Sequence, residues 1–508
     1  MEQLEIKEEI GGGIFFQYVN SIATVLAGFI FYIYIIHFYS SELVGSVALL
    51  LAITSLLNIF FSFGLGYGLQ HYISYHMGRQ EYGIIRETIT KFLLIGLSLG
   101  ILSLLALYFT SPIFAMLFFH TFKYLLLLKY LGIDLLFMVL GTFLSGILIG
   151  LQNFKSQAVW NVVGILITYS LPIVLLTLFN NSLFIVIGWA TGYAFSSVAY
   201  LLIVFRRIRN MSENIGGRTK IRPIFSYAYP IFLASLIGYG AVYVDRFIVS
   251  FLLNLSLLGI YNFALLICSA IGFLTVPFAT ILLPKLSEMY GLNKKDDIRN
   301  YVAKGIELLS TIYVPVAMLV AALSSSILLF LSSSTYLPAS IPVMIVLVVS
   351  SLFVSGNILS VSLQGIRKTK IFLITSSLAL VSNFIISILL IPKYQMIGAS
   401  IGYSSTTAVS FFIMYYYAWK FEILKFELAK IAKIYASGFA MFFLIVVLQS
   451  MFSYSPLKLL GYIVLGLVIY FGMIKVLRTF AKEDLNFIML LIPWWLQKIR
   501  AFISLLFL

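Results

Sequence analysis

Runs of about twenty apolar residues follow one another from residue 13 nearly to residue 508, separated only by short charged or turn-rich breaks. A hydrocarbon core about 30 Å thick takes roughly 20 such residues per helical span, and nothing else in the sequence restricts the fold as severely. Of the 508 residues, 61% are hydrophobic and only 10% charged, whereas soluble domains are roughly 45–50% apolar and about 25% charged. A water-soluble fold has no interior large enough to hide that surface, so lipid is the solvent. The runs are continuous rather than alternating, which excludes an outer-membrane barrel. An α-helical bundle remains as the way to satisfy every backbone group in hydrocarbon.

Apolar windows place helices at 13–38, 43–69, 92–112, 130–150, 157–178 and 183–205, then at 224–251, 257–284, 305–331, 339–364, 371–391 and 396–419, and finally at 431–451 and 457–477, fourteen in all. Basic residues in alternate connections test this assignment, because cytoplasmic loops retain Lys and Arg. Counted with the adjoining helix ends, even-numbered connections carry 22 of them and odd-numbered ones only Lys123, Lys129, Lys393 and Lys458. Both termini are therefore expected in the cytoplasm, in a cell membrane. The first ten residues hold four Glu and only Lys7, unlike the basic start of a cleaved signal, so the first span is expected to stay.

The halves resemble each other at an offset of about 210–215 residues. Leu43-Val44-Gly45 lies over Leu257-Leu258-Gly259, Ile85-Arg86 over Ile298-Arg299, Gly150 with Lys155 over Gly365 with Lys370, and Gly188/Gly192 over Gly398/Gly402. Six helices per repeat make the two parallel repeats about an axis along the membrane normal. The expected organisation is a cytoplasmic N-terminus (1–12), a six-helix lobe (13–205), a basic linker (206–223), a second six-helix lobe (224–419), two appended helices (430–477) and a cytoplasmic or interfacial amphipathic tail (478–508). Two lobes leave a cavity between them, which suits a carrier that rocks open to one face at a time.

Several chemistries are excluded. Cys268 is the only cysteine, so no intramolecular disulfide or CxxC site can form. His37, His71, His76 and His120 are scattered without HExxH spacing, and no metal site is expected. No Walker A motif occurs, so no nucleotide or other cofactor is expected, and any energy comes from ion gradients, membrane potential or the substrate's own gradient. The net charge of +15 sits in loops and does not point to nucleic acid. Glycines four apart, as at Gly64/Gly68 and Gly96/Gly100, fit close helix packing in lipid, and prolines at 172, 230, 277, 315 and 342 fall inside predicted helices, where they kink the span.

Ionised groups within spans are costly and normally face a partner or a wet cavity. Asp134 in the fourth helix and the adjacent Asp245 and Arg246 in the seventh are the clearest, with Lys129 and Glu307 nearer the ends of their spans. Lys129, Asp134, Asp245 and Arg246 all fall in the outer half of the bilayer. Arg246, with Lys129, is a candidate for binding phosphates, because guanidinium matches phosphate oxygens bidentately. Gln17, Asn20 and Tyr243 are candidates for lining a sugar path, and Asp134 and Asp245 for coupling to H+ or Na+. Structural ion pairs and helix-to-helix bonds are the competing readings for each.

The stretch 226–291 is the most specific: Ser226-Tyr227-Ala228-Tyr229-Pro230 opens the seventh helix, Val244-Asp245-Arg246-Phe247 ends it, Leu258-Gly259-Ile260-Tyr261 opens the eighth, and Leu283-Pro284-Lys285-Leu286-Ser287 closes it. A second stretch runs from Gln364-Gly365-Ile366-Arg367-Lys368-Thr369-Lys370 to Ile391-Pro392-Lys393-Tyr394. In order and spacing the chain resembles the polysaccharide flippase branch of the superfamily that also holds the multidrug and toxin extruders and the lipid II flippases. The resemblance implies fourteen helices in a two-lobed, V-shaped carrier that acts as a single copy, is not an enzyme, and flips polyprenyl-diphosphate-linked oligosaccharide outward, beside glycan-assembly enzymes and membrane lipids. The first helix lacks the cavity cations of the lipid II branch, so a surface-glycan or protein-glycosylation intermediate is favoured over a peptidoglycan precursor. Two alternatives stand beside this: a proton- or sodium-coupled organic-cation antiporter of the same fold, and, more remotely, a membrane glycan polymerase or ligase.

Overall fold

The computed structural model describes residues 2–209, 219–425, 427–452 and 455–479, with side chains from residue 19 onward, and among these residues there are helices and turns but no strand. Gln17 and the tail beyond residue 479 lie outside the described side chains and residues. Thirteen stretches are long and apolar enough to cross a bilayer, which makes this a multi-pass membrane protein. One of them, Lys370–Lys420, has 51 residues but does not run straight: the Ser382 and Ser405 hydroxyls, 23 residues apart, meet at 3.1 Å, so the stretch doubles back as two packed helices. Its backbone leaves the helical region at Gln395 (φ 49°, ψ −126°), three residues after Pro392. The windows read at 371–391 and 396–419 correspond to these two helical arms, which join through Gln395 without an intervening loop and so count once among the thirteen stretches.

Contacts divide the chain into two compact units, Met1–Tyr243 with Leu253–Gly259, and Val244–Leu252 with Ile260–Leu508. The first holds α1 (Glu2–Phe38), α2 (Ser41–Ser62), α3 (Leu65–Gly78), α4 (Tyr82–Phe114), α5 (Leu125–Gly150), α6 (Phe154–Phe179) and α7 (Leu183–Arg209), together with most of α8 (Ile221–Leu252) and the start of α9 (Leu255–Gly272). At its centre α5 packs on α2, α3, α4 and α7. The second unit continues through α10 (Val276–Gly291), α11 (Lys295–Ala322), α12 (Ser324–Leu331), α13 (Ser340–Leu352), α14 (Ser355–Gly365), α15 (Lys370–Lys420), α16 (Leu428–Met451) and α17 (Pro456–Val476). Here α11 is the buried centre, against α13 and α16.

The sequence boundary falls in the basic linker, yet residues 221–243 pack with the first unit, and small residues are the reason. Phe63 and Gly64 both take left-handed torsions (φ 50° and 67°) and split the second span into α2 and α3. At Gly64 a Cβ would stand 2.6 Å from the Ala228 carbonyl, so both the torsion and the close approach of α8 require glycine. Gly68 admits Ile224 in the same way. Lower on the chain, the Gly188/Gly192 pair of α7 lies against Pro172 and Thr168 of α6, and the Gly398/Gly402 pair of α15 lies against Leu390 and Ser387 of the arm of α15 before Gln395. Glycine pairs matched by the sequence offset thus do the same work in each unit, letting backbones approach where lipid offers no hydrophobic drive between helices.

A third pair is reciprocal. A Cβ on Gly45 would run into the Leu255 carbonyl, and one on Gly259 into the Ser41 carbonyl, while Ser41 and Ser256 hydroxyls meet at 2.6 Å. The starts of α2 and α9 therefore touch backbone to backbone.

Candidate functional site

In the first unit, α5 carries Asp134 on the face shared, at helical spacing, by Met138, Gly141 and Ser145. Asp134 is 1% exposed, and neither carboxylate oxygen has a hydrogen-bond partner among the described residues. Tyr169 of α6 and Tyr193 of α7 are near enough to feel its charge. Below it a cavity of about 330 Å³ opens, lined by Asn58, Gln70, Thr142, Ser145, Gln157 and Asn161 among others, and by no charged side chain. Its walls are tied together: Gln157 donates to the Ser145 hydroxyl (3.1 Å), Thr142 to Asn58 (3.4 Å), and Ser197 to the Phe137 carbonyl (2.9 Å).

The other sequence candidates of this unit take separate places. Asn20 of α1 accepts from the Asn161 amide at 2.7 Å, bridging α1 to α6 at the cavity wall. Lys129 does not reach Asp134; its ammonium lies over the Tyr108 ring of α4 at 4.9 Å, a cation–π contact. Tyr243 stacks on Tyr239 (4.3 Å, 10°), and the Tyr239 hydroxyl donates to the Ala52 carbonyl of α2 at 2.7 Å.

In the second unit Asp245 is fully buried within a polar network. It accepts from the Tyr261 hydroxyl (2.6 Å) and the Asn383 amide (3.4 Å), and the Asn383 oxygen accepts from Ser387 (2.8 Å). Arg246, next in sequence, acts on the Asp245 carboxylate through its charge. The cluster thus presents carboxylate, amide and hydroxyl oxygens from α8, α9 and α15, the hard ligands that suit a small cation. A cavity of about 460 Å³ lies in the same unit, with Ser350, Asn357, Thr375, Tyr403, Thr406 and Ser410 in its wall and no charged side chain. Glu307 of α11 is paired instead, with Lys304 (3.2 Å) and Lys430 (3.8 Å).

Sequence reading singled out Asp134 and Asp245 separately. Tyr261 as partner of Asp245 was missed, because 16 residues and a turn separate them and no local pattern signals the pairing. These two cavities are neutral, with neither the basic lining expected of an anion carrier nor the acidic lining of a cation extruder.

The family described as "Polysaccharide biosynthesis protein" matches residues 10–290. The chain belongs to that family. An uncharacterized membrane protein of Methanocaldococcus jannaschii is 30% identical over 299 residues, 55% of each chain. The capsular polysaccharide biosynthesis protein CapF of Staphylococcus aureus is 25% identical over 52% of this chain and 66% of its own length. The probable low-salt glycan biosynthesis flippase Agl15 of Haloferax volcanii is 22% identical over 41% of this chain and 44% of its own. The chain thus spans 55% and 66% of the length of the first two relatives. Among solved structures, the lipid II flippase MurJ in an inward closed conformation has a TM-score of 0.73 at 18% identity, covering 91% of this chain and 98% of its own. An inward-facing multidrug resistance MATE transporter has a TM-score of 0.61 at 15% identity, over 78% of this chain and 94% of its own. The fold of this family member is therefore that shared by the MurJ and MATE transporters.

Proposed function

We propose that this protein moves a polyprenyl-diphosphate-linked oligosaccharide from the cytoplasmic to the outer leaflet of the cell membrane by alternating access, as a carrier and not as an enzyme. One observation carries the reading: a member of the polysaccharide biosynthesis family has the fold of a lipid II flippase along 91% of its length. In this reading Arg246 and Lys129 draw the substrate phosphates, and Gln17, Asn20 and Tyr243 border the sugar path. Asp134, a buried carboxyl with no partner among the described residues, exchanges a proton or takes up a cation, while the Asp245, Asn383 and Ser387 oxygens suit Na+. Enzymes that assemble glycans on the inner leaflet would supply the substrate, and enzymes on the outer face would consume it.

The test is transbilayer movement of a fluorescent polyprenyl-diphosphate oligosaccharide in liposomes holding the purified protein, with Arg246→Ala as the comparison. Protein-dependent movement that the variant loses supports both the substrate and the phosphate role. Absence of movement, with proton- or sodium-driven efflux of an organic cation, transfers the assignment to an antiporter.

A further inference from the structure

A cleft of about 660 Å³ lies in the first unit between α3 and the start of α8, away from the cavities described above. Arg79, just after α3, and Lys220, just before α8, are its two exposed cations, and neither meets a carboxylate among the described residues. The cleft's one acid, Glu81, is engaged by the His76 ring. Its surplus of charge is therefore positive.

The walls are built rather than draped. The His71 ring lies flat on Tyr227 at 4.2 Å and 6°, and the Arg79 guanidinium sits over the Tyr75 ring at 4.6 Å. Lys220 donates its backbone N–H to the Tyr72 hydroxyl at 3.3 Å. The residue before it, Thr219, is pinned to α4: its N–H and hydroxyl reach Glu87 at 2.6 and 3.0 Å, and its hydroxyl also meets Thr88 at 3.0 Å. Two cations are thus held at the mouth of a cleft floored by aromatic plates, a volume within the range of ordinary ligand sites.

The surroundings point to a lipid rather than a soluble anion. Tyr75 of α3 and Tyr227 of α8 line the cleft and are both exposed, so its aromatic wall opens out to the surface. Arg79 and Lys220 belong to the connections that carry most of the basic residues, the side on which a membrane presents phosphates to a basic loop. We propose that this cleft binds the phosphate-bearing, hydroxyl-rich headgroup of a membrane lipid, with Arg79 and Lys220 on the phosphate, the aromatic plates on the headgroup, and the tails leaving past the exposed Tyr75 and Tyr227. Two sources share this chemistry, an anionic glycerophospholipid and a polyprenyl-linked sugar phosphate. The inference does not depend on the flippase reading.

The test uses the full chain in a zwitterionic detergent at about 0.15 M salt, where long-range attraction is screened beyond roughly 8 Å. Binding of short-chain phosphatidylglycerol, short-chain phosphatidylcholine and citronellyl-diphosphate N-acetylglucosamine is measured for the wild type, for Arg79→Gln/Lys220→Gln, and for Arg206→Gln/Arg207→Gln as a control that removes equal charge from the end of α7. Loss of two charge-assisted contacts weakens phosphatidylglycerol or sugar-phosphate binding by about tenfold or more in the cleft variant and leaves the α7 variant near wild type. Preference for phosphatidylglycerol assigns the first source, and preference for the sugar phosphate the second. Equal weakening in both variants means diffuse attraction to a cationic protein, and equal binding of phosphatidylcholine means adsorption of tails; either overturns the proposal. Melting temperatures of the three proteins separate lost binding from lost folding.

Discussion

Asp134→Leu should make the protein more stable and less able to work. Leucine repeats the branched four-atom skeleton of aspartate but needs no hydrogen bond. In the structure Asp134 is 1% exposed with both oxygens unpartnered among the described residues, and a buried polar group left unsatisfied costs about 1–3 kcal/mol. Removing that cost raises the melting temperature by about 1–3 °C for a chain of this size, read by intrinsic fluorescence during a thermal ramp in detergent. Asp134→Asn has the same skeleton and stays polar, so it should gain nothing. Flipping of the fluorescent substrate in liposomes should fall in both, because neither can exchange a proton or hold a cation. A Leu variant that melts below the wild type would mean the carboxyl has a partner in the native protein, and the reasoning from its isolation would fail. A Leu variant that is both stabilised and fully active removes Asp134 from the coupling machinery.

Other expectations follow from the same geometry. Ser41→Cys/Ser256→Cys should cross-link rapidly under mild oxidation, since the two hydroxyls meet at 2.6 Å and the native Cys268 is buried; mass spectrometry of the intact protein reads the bond. Adding Gly45→Val to that pair should abolish the cross-link and lower stability by about 1–3 kcal/mol, because the new Cβ meets backbone on both near sides. Replacing choline by sodium at about 100 times the dissociation constant should stabilise the wild type by about 2.7 kcal/mol, and Asp245→Asn should erase the sodium-dependent shift in melting temperature; an unchanged shift would place the cation elsewhere. Gln395→Gly should stabilise by about 1 kcal/mol or more, since Gln395 holds a torsion that favours glycine, as seen by thermal unfolding.

Much of the fold was legible because hydropathy depends only on local composition: Leu428–Met451 and Pro456–Val476 fall within a few residues of the windows read at 431–451 and 457–477. Torsion was not legible. The apolar run through Phe63 and Gly64 is continuous, so hydropathy passes straight over the left-handed break between α2 and α3. Partnership was not legible either. Lys129 and Asp134 look like a pair in sequence, but five residues at about 100° each leave them roughly 140° apart around a helix, and Lys129 turns to Tyr108 instead. The acceptor network of Asp245 joins residues 138 positions apart, a separation over which one sequence holds no signal.

The reciprocal contact at the starts of α2 and α9 bears on which substitutions the chain tolerates. Gly45 faces Leu255 as Gly259 faces Ser41, and at the repeat offset each of these residues is the counterpart of the other's partner. Exchange of one contact in both directions is how two copies of a single chain recognise each other about a two-fold axis. Neither glycine can gain a side chain unless the opposite helix start gives way, so the two ends of this contact are free to change only together.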